Sequence, residues 1–261
     1  MSKILIIGGN RFVGKEIAKK LYDTGHEVTV LNRSGTKPFS ECNVIRMNRK
    51  DLTKKLVSQE IIIDMCAYNT NQVKSLLKSL KGHKLKQYII ISSIASEYPF
   101  FGEYGKNKAE IETFLRFETN IPWVILRPTY IIGKNDPHKR LDYFLDCIKN
   151  GKSIVVDKLG SEKISFVFVE DVAQVIYKVI SRKIINKTYN VCNDDQVSIV
   201  EFIDLIFKII GKKTGIRHTR KDGAIFKDEL CIFSNQLVKN DLNIKFKNLN
   251  KGINEYIVSK K

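Results

Sequence analysis

No stretch of this sequence approaches the roughly 20 consecutive apolar residues that a membrane-spanning helix needs. Met1-Ser2-Lys3 runs straight into a strand-like segment without a secretory hydrophobic region, so a cytoplasmic protein with no membrane contact is expected. The five cysteines (Cys42, Cys66, Cys147, Cys192, Cys231) are odd in number, scattered, and never paired as C-x-x-C. That argues against a disulfide framework and against a zinc knuckle. The four histidines (His26, His83, His138, His218) are equally dispersed, so no metal site is expected. Repeats and low-complexity linkers are lacking too, which favours one folding unit. Acidic residues are scarce beside basic ones, leaving a net charge of +17. Yet no block of five or more basic residues occurs, and a nucleic-acid footprint should be clustered. The charge therefore reads as compositional drift in a chain rich in Lys, Ile and Asn; RNA is an allowed partner but not the favoured one.

What is present is a hydrophobic content of 43% in 261 residues, enough for one large α/β domain with a small appendage. Lys3 to Ile7 is a β-branched run, Phe12 to Asp23 has helical apolar spacing, and Glu27 to Leu31 reads as a second strand. This is a β-α-β unit of the size of a mononucleotide-binding half. Further buried strands are predicted at 44–47, 61–65, 88–91 and 123–126, with helices at 71–80 and 103–118 between them. Beyond Pro128 the pattern predicts helices at 141–149 and 170–180 and strands at 154–156, 165–169 and 189–191. A helix at 199–209 follows, capped by Ser198 with Glu201 at the capping-box position. The last 50 residues are polar and weakly patterned. The expected fold is α/β, a Rossmann doubly wound parallel sheet with a small C-terminal substrate-binding cap. Residues 1–165 would be mainly dinucleotide-binding, and 166–261 would hold the last sheet strand and the cap.

Between the first strand and helix lies Gly8-Gly9-Asn10-Arg11-Phe12-Val13-Gly14. A turn that must bring backbone against a pyrophosphate needs residues without a Cβ and tolerant of positive φ. The helix that follows offers free N–H groups and a favourable dipole. NAD binding commonly uses an Asp or Glu about 20 residues beyond the turn, against the ribose hydroxyls. Here Asn32 and Arg33 occupy that region. A carboxylate would repel a 2′-phosphate, whereas Arg33 could grip one, so NADP is preferred over NAD.

Tyr104-Gly105-Lys106-Asn107-Lys108 is a Y-x-x-x-K whose first and last side chains share a helix face. A tyrosine base needs its pKa lowered by ~3 units, about 4 kcal/mol, and a nearby ammonium favours the ionised form. Tyr130-x-x-x-Lys134 and Tyr256-x-x-x-Lys260 match the same spacing.

On these segments in this order, the chain resembles the extended short-chain dehydrogenase/reductases, the NAD-dependent epimerase/dehydratase family. Its turn is similar to a subgroup reading G-G-T-R-F-I-G, which includes chloroplast stem-loop-binding proteins. The usual family turn, T-G-G-x-G-F-I-G, has glycine where Arg11 stands, and an arginine at the matching place in short relatives contacts the NADP 2′-phosphate. The resemblance implies that Tyr104, Lys108 and Ser93 are the catalytic set, with Ser92 and Ser96 as alternative hydroxyls. It implies that Asn48 takes the family's Asp position near the adenine and that Met65-Cys66-Ala67 passes the ribose and nicotinamide. Leu126-Arg127-Pro128 and the residues to Gly133 match L-R-P-x-x-x-x-G, whose backbone borders the carboxamide. Phe166 to Ala173, Tyr189-Asn190-Val191 and Gly252-Ile253 also follow the family. The implied activity is hydride transfer on a small hydroxyl or carbonyl substrate, a nucleotide sugar first among them, with a homodimer common among look-alikes. Only ten residues separate Ser93 from Tyr104, fewer than in typical nucleotide-sugar epimerases, which leaves the substrate open.

Overall fold

The computed structural model describes residues 1–52, 58–98, 101–221 and 223–260. It comprises two compact units, each assembled from separate stretches of chain. The first holds Met1–Thr129, Val172–Val191 and Leu237–Ile244; the second holds Tyr130–Asp171, Cys192–Gln236 and Lys245–Lys261.

The chain opens with strand β1 (Lys3–Ile7), helix α1 (Phe12–Asp23) and strands β2 (Glu27–Asn32) and β3 (Asn43–Arg46). It continues through β4 (Ile61–Asp64), α2 (Thr70–Ser79), β5 (Gln87–Ile91), α3 (Gly102–Phe117) and β6 (Trp123–Pro128). The second unit begins with β7 (Tyr130–Ile132), α4 (Arg140–Asn150), β8 (Ile154–Asp157) and β9 (Lys163–Phe168). Helix α5 (Val169–Ser181) leads to β10 (Lys187–Val191) of the first unit. Next come β11 (Gln196–Ser198), α6 (Ile199–Ile210) and β12 (Ile216–Thr219), then α7 (Gln236–Leu242) and α8 (Leu249–Val258).

In the first unit seven strands form one sheet in the order β3-β2-β1-β4-β5-β6-β10. Every pairing is parallel. A parallel sheet needs cover on both faces, and the sequence supplies it: Ile4, Leu5, Ile6 and Ile7 are all at most 1% exposed. On one face Leu5, Ile7, Ile62, Tyr88 and Ile90 pack with Val73 and Leu76 of α2 and Ile111 and Leu115 of α3. Burying each such aliphatic side chain contributes ~1.5–3 kcal/mol. Strand order reverses between β1 and β4, where Ile7 lies between Leu31 and Asp64. In open α/β sheets the crevice beyond the carboxyl ends of such a strand pair is the ligand position.

The second unit contains a three-stranded sheet β11-β9-β7 and a two-stranded β12-β8 pair. Its core is aromatic: Phe166 and Phe202 stack at 4.5 Å between ring centres, and Tyr130 and Phe144 pack on Phe226. Ser198 and Glu201 make the reciprocal capping box expected for α6. The C-terminal segment contains two helices that its weak pattern does not predict. Val238 and Leu242 bury α7, and Leu249, Ile253 and Tyr256 bury α8. Among the described residues, no helix is long and apolar enough to cross a membrane.

Candidate active site

The turn after β1 is built so tightly that side chains would not fit. Gly8 takes φ +91°, and a Cβ on it would sit 2.2 Å from Cys66 Sγ. On Gly9 a Cβ would meet Ile6 Cγ2 at 2.7 Å, and on Gly14 it would meet Gly9 Cα at 2.6 Å. Gly8 N–H donates to Leu31 O at 2.9 Å, which ties the turn to β2. Arg11, in place of the family's glycine, has φ −136° and ψ 154°, extended backbone that any residue adopts. The positive φ falls instead on Phe12, at +39°.

Helix α1 starts without a side-chain cap and without an acidic residue in its first turn. Helices α2, α6 and α8 are capped by Asn69, Ser198 and Asn248. Among the described residues the opening N–H groups of α1 receive no side-chain cap and no first-turn carboxylate.

At the end of β2, Asn32 is buried and fully engaged: its Nδ2 donates to Thr36 O at 2.9 Å and its Oδ1 accepts from Ser34 Oγ at 2.9 Å. Arg11 and Arg33 are exposed, and neither forms an ion pair among the described residues. Asn48 caps the short 3-10 turn Arg49–Asp51, accepting from Lys50 N–H at 3.2 Å. The segment Met65-Cys66-Ala67 follows β4 directly. Met65 N–H donates to Ile7 O at 3.1 Å and Cys66 N–H to Asp64 Oδ1 at 3.0 Å. Asp64 is wholly buried and pairs with Arg49 while accepting from Tyr88 Oη at 2.8 Å, so it locks the loop below the site. Burial pushes the Cys66 thiol pKa up, helped by Asp64 and opposed by Arg49, Lys108 and Arg33.

Ser93, Tyr104 and Lys108 come together. Ser93 follows β5, and its Oγ accepts from Ala95 N–H at 3.2 Å; its hydroxyl is near enough to Tyr104 to pull that phenol's pKa down. The contact depends on Gly105, where a Cβ would lie 2.4 Å from Ala95 O and hold α3 away from the serine turn. Lys108 is 4% exposed, and its Nζ donates to Ala67 O at 2.9 Å and Ile91 O at 3.1 Å. That nitrogen lies 5.8 Å from the Tyr104 ring centre and 5.9 Å from that of Tyr68.

The electrostatics differ from the simple expectation of a lysine-lowered phenol. Burial raises the Tyr104 pKa; the Ser93 hydrogen bond opposes this and Tyr68 adds to it. Burial lowers the Lys108 pKa, while Asp64, Cys66 and Glu112 pull it back. The ammonium is committed to two carbonyls rather than to the phenol oxygen, so desolvation wins at Tyr104. Ser92 is elsewhere engaged, donating to Glu112 Oε1 at 2.6 Å, and Ser96 donates to Ser93 O at 2.9 Å.

Arg127 does not turn its side chain to the turn. It binds Glu112 through Nε at 2.9 Å and pairs with Glu97. Beside it, Pro128 is buried, and the buried Thr129 hydroxyl has no partner among the described residues. The two other Y-x-x-x-K matches are occupied structurally. Tyr130 packs among Phe166 and Phe226, and Tyr256 Oη donates to Asp142 Oδ1 at 2.7 Å while Lys260 pairs with the same carboxylate.

Sequence reasoning missed Tyr68, Gly105 and Glu112. Glu112 carried a signal, since it extends the Tyr104, Lys108 face by one more turn. The contact of Tyr68 with Lys108 spans 40 residues and leaves no local trace.

These residues fit a dinucleotide: a turn closed to any Cβ, an uncapped helix start, and an unpartnered Thr129 hydroxyl at the end of β6. Comparison with known proteins agrees. The profile of the NAD dependent epimerase/dehydratase family matches residues 4–70 and 56–192. The chloroplast stem-loop binding protein of 41 kDa b from Arabidopsis thaliana is 25% identical over 229 residues, 75% of this chain. The match spans only 60% of that relative's length. A Methanocaldococcus jannaschii protein with the provisional name UDP-glucose 4-epimerase is 22% identical, covering 88% of this chain and 90% of its own. Among solved structures, a Bacillus cereus UDP-glucuronic acid 4-epimerase, in complex with UDP-glucuronic acid and NAD, superposes with a TM-score of 0.82. It has 18% identity, covering 99% of this chain and 100% of that one. The chain belongs to the NAD dependent epimerase/dehydratase family.

Proposed function

We propose that this chain is an NAD(P)-dependent epimerase, dehydratase or reductase acting on a small hydroxyl- or carbonyl-bearing substrate, a nucleotide sugar first among the candidates. The observation that carries the reading is the joining of Ser93, Tyr104 and Lys108 beside the Met65-Cys66-Ala67 loop. The relatives named for UDP-sugar epimerisation support the substrate class.

Gly8, Gly9, Asn10, Arg11, Phe12, Val13 and Gly14 would hold the pyrophosphate, with backbone N–H groups as donors. Asn48, Met65, Cys66, Ala67 and the Arg127-Pro128 backbone would border the adenine, ribose and nicotinamide. When bound, the nicotinamide supplies a hydride acceptor and donor. Tyr104 then exchanges the proton of the substrate hydroxyl, Ser93 donates to the same oxygen, and Lys108 steadies the ionised phenol. With the free Tyr104 pKa raised, kcat/KM is expected to climb with pH through the alkaline range.

NADP is the preferred cofactor in this reading. Arg11 and Arg33 are exposed and unpaired among the described residues, and the end of β2 carries Asn32 in place of a carboxylate. Titration with NAD and NADP, followed by assay with UDP-sugars, tests both parts. Tyr104→Phe is expected to cut turnover by ~10²–10⁴-fold without changing dinucleotide affinity. Unchanged turnover would remove the catalytic assignment, and equal affinity for the two dinucleotides would remove the NADP preference.

A further inference from the structure

We propose that Tyr68 is a specificity-determining residue: its ring forms a fixed wall against which the C–H face of the substrate's sugar ring stacks while Tyr104 addresses the hydroxyl. The inference rests on the nucleotide-sugar reading above and goes beyond it by naming the side chain that selects the sugar.

Three large tyrosines are exposed in this chain, and they are not alike. Tyr22 is 40% exposed and rests on Phe39, with ring centres 5.1 Å apart. Tyr104 is 46% exposed and lies beside Ser93. Tyr68 is 60% exposed, and its hydroxyl has no hydrogen bond among the described residues. Among the described residues its ring lies 5.9 Å from the Lys108 ammonium, the same cation that lies 5.8 Å from the Tyr104 ring. The two phenols therefore flank one buried lysine, and each presents aromatic surface to water.

The loop that carries Tyr68 is held from several directions. Ala67 O accepts from Lys108 Nζ at 2.9 Å, and Tyr68 N–H donates to Gln72 Oε1 at 2.8 Å. Gln72 Oε1 also accepts from Arg49 at 3.2 Å, and Arg49 is paired with the buried Asp64. An aromatic ring set on so firmly tied a backbone, yet left in solvent beside the proton-transferring group, is preorganised for a ligand. The ring face is electron-rich and attracts polarised C–H groups, which a pyranose presents on one side while its hydroxyls point outward. Phosphates, which bind by charge and hydrogen bonding, gain nothing from such a wall.

The test is calorimetric titration of the full chain, saturated with dinucleotide, using UDP-glucose and UDP as separate probes. In the wild type the glucose is expected to add affinity over UDP alone. In Tyr68→Ala that increment should fall roughly tenfold while UDP binds as before, and Tyr68→Phe should keep it. The same variants should show KM raised in Tyr68→Ala with kcat little changed. An increment undiminished in Tyr68→Ala overturns the inference and leaves the nucleotide-sugar reading standing. A wild type that gains nothing from glucose overturns both, and that outcome is visible before any variant is made. Because Tyr68 is exposed, Tyr68→Ala should unfold within a degree or two of the wild type, roughly the span expected of a surface change.

Discussion

Glu112 is the carboxylate on which the site's frame converges. It is 1% exposed and accepts from Ser92 at 2.6 Å, from Arg116 at 2.9 Å and from Arg127 at 2.9 Å. Ser92 precedes Ser93, Arg127 is on β6, and Glu112 itself lies one helical turn beyond Lys108. One side chain thereby fixes the distance between the helix that carries Tyr104 and the strand ends it faces. Removing one member of a buried ion-paired cluster leaves the others uncompensated and costs ~3–5 kcal/mol. Glu112→Gln keeps the shape and loses the charge, so urea denaturation should show a loss of about that size. A loss below about 1 kcal/mol would mean that Glu97 alone satisfies Arg127.

At the scale of elements, the closeness of α3 to the turn Ile94–Glu97 is set by a hydrogen atom at Gly105. A methyl group there meets the backbone oxygen of Ala95 at 2.4 Å, and backbone cannot swing aside as a side-chain tip can. If Ser93 and Tyr104 act together as proposed, Gly105→Ala is expected to separate them and reduce kcat by at least about tenfold with the fold retained. Circular dichroism beside steady-state rates checks both halves. The aromatic unit makes a different prediction. Burial holds the Tyr130 hydroxyl at about 12 and the Cys231 thiol at about 12, against ordinary values of 10.0 and 9.0. Groups with raised folded-state pKa values stabilise fully below their unfolded values and lose that contribution as pH rises through the folded ones. The unfolding midpoint should therefore fall between pH 9 and pH 12, and Cys231→Ser should flatten the lower part of that fall.

Much of this organisation was legible in the sequence. The glycine turn, α1, the six strands through β6 and the α6 capping box lie within a residue or two of their expected places, because each is strongly periodic or bounded by a cap. Strands β7, β11 and β12 were not, since three or four residues are too few to show alternation. In the last 50 residues the helical spacing exists, Val238 to Leu242 and Leu249 to Ile253, but it is divided between two short helices. Within the site, spacing placed Tyr104 and Lys108 on one face. What Lys108 touches was hidden, because Ala67 is 41 residues away and only the fold brings its carbonyl there.

For the whole molecule the net charge of +17 sets the response to salt. Exposed Arg11 and Arg33 act through solvent, where the screening length is about 8 Å at physiological ionic strength. NADP affinity should consequently weaken with added salt more steeply than NAD affinity, by competition titration at low and high salt. Parallel slopes would show that the two arginines do not hold the 2′-phosphate. The relative named for stem-loop binding makes RNA the natural control. Since the cations are spread along the sequence, any association seen at low salt should vanish near physiological salt.

Counting protons at Lys108 has a last consequence. An ammonium carries three N–H bonds, and two are spent on Ala67 O and Ile91 O. A single donor remains, so this lysine can grip one oxygen of a ligand and no more. If a ribose lies there, its second hydroxyl must find a different host. A guanidinium, planar and with its donors in a fixed fork, cannot reproduce the same tripod. Lys108→Arg would keep the charge and lose the valence, which makes the commonest conservative exchange the wrong one at this position.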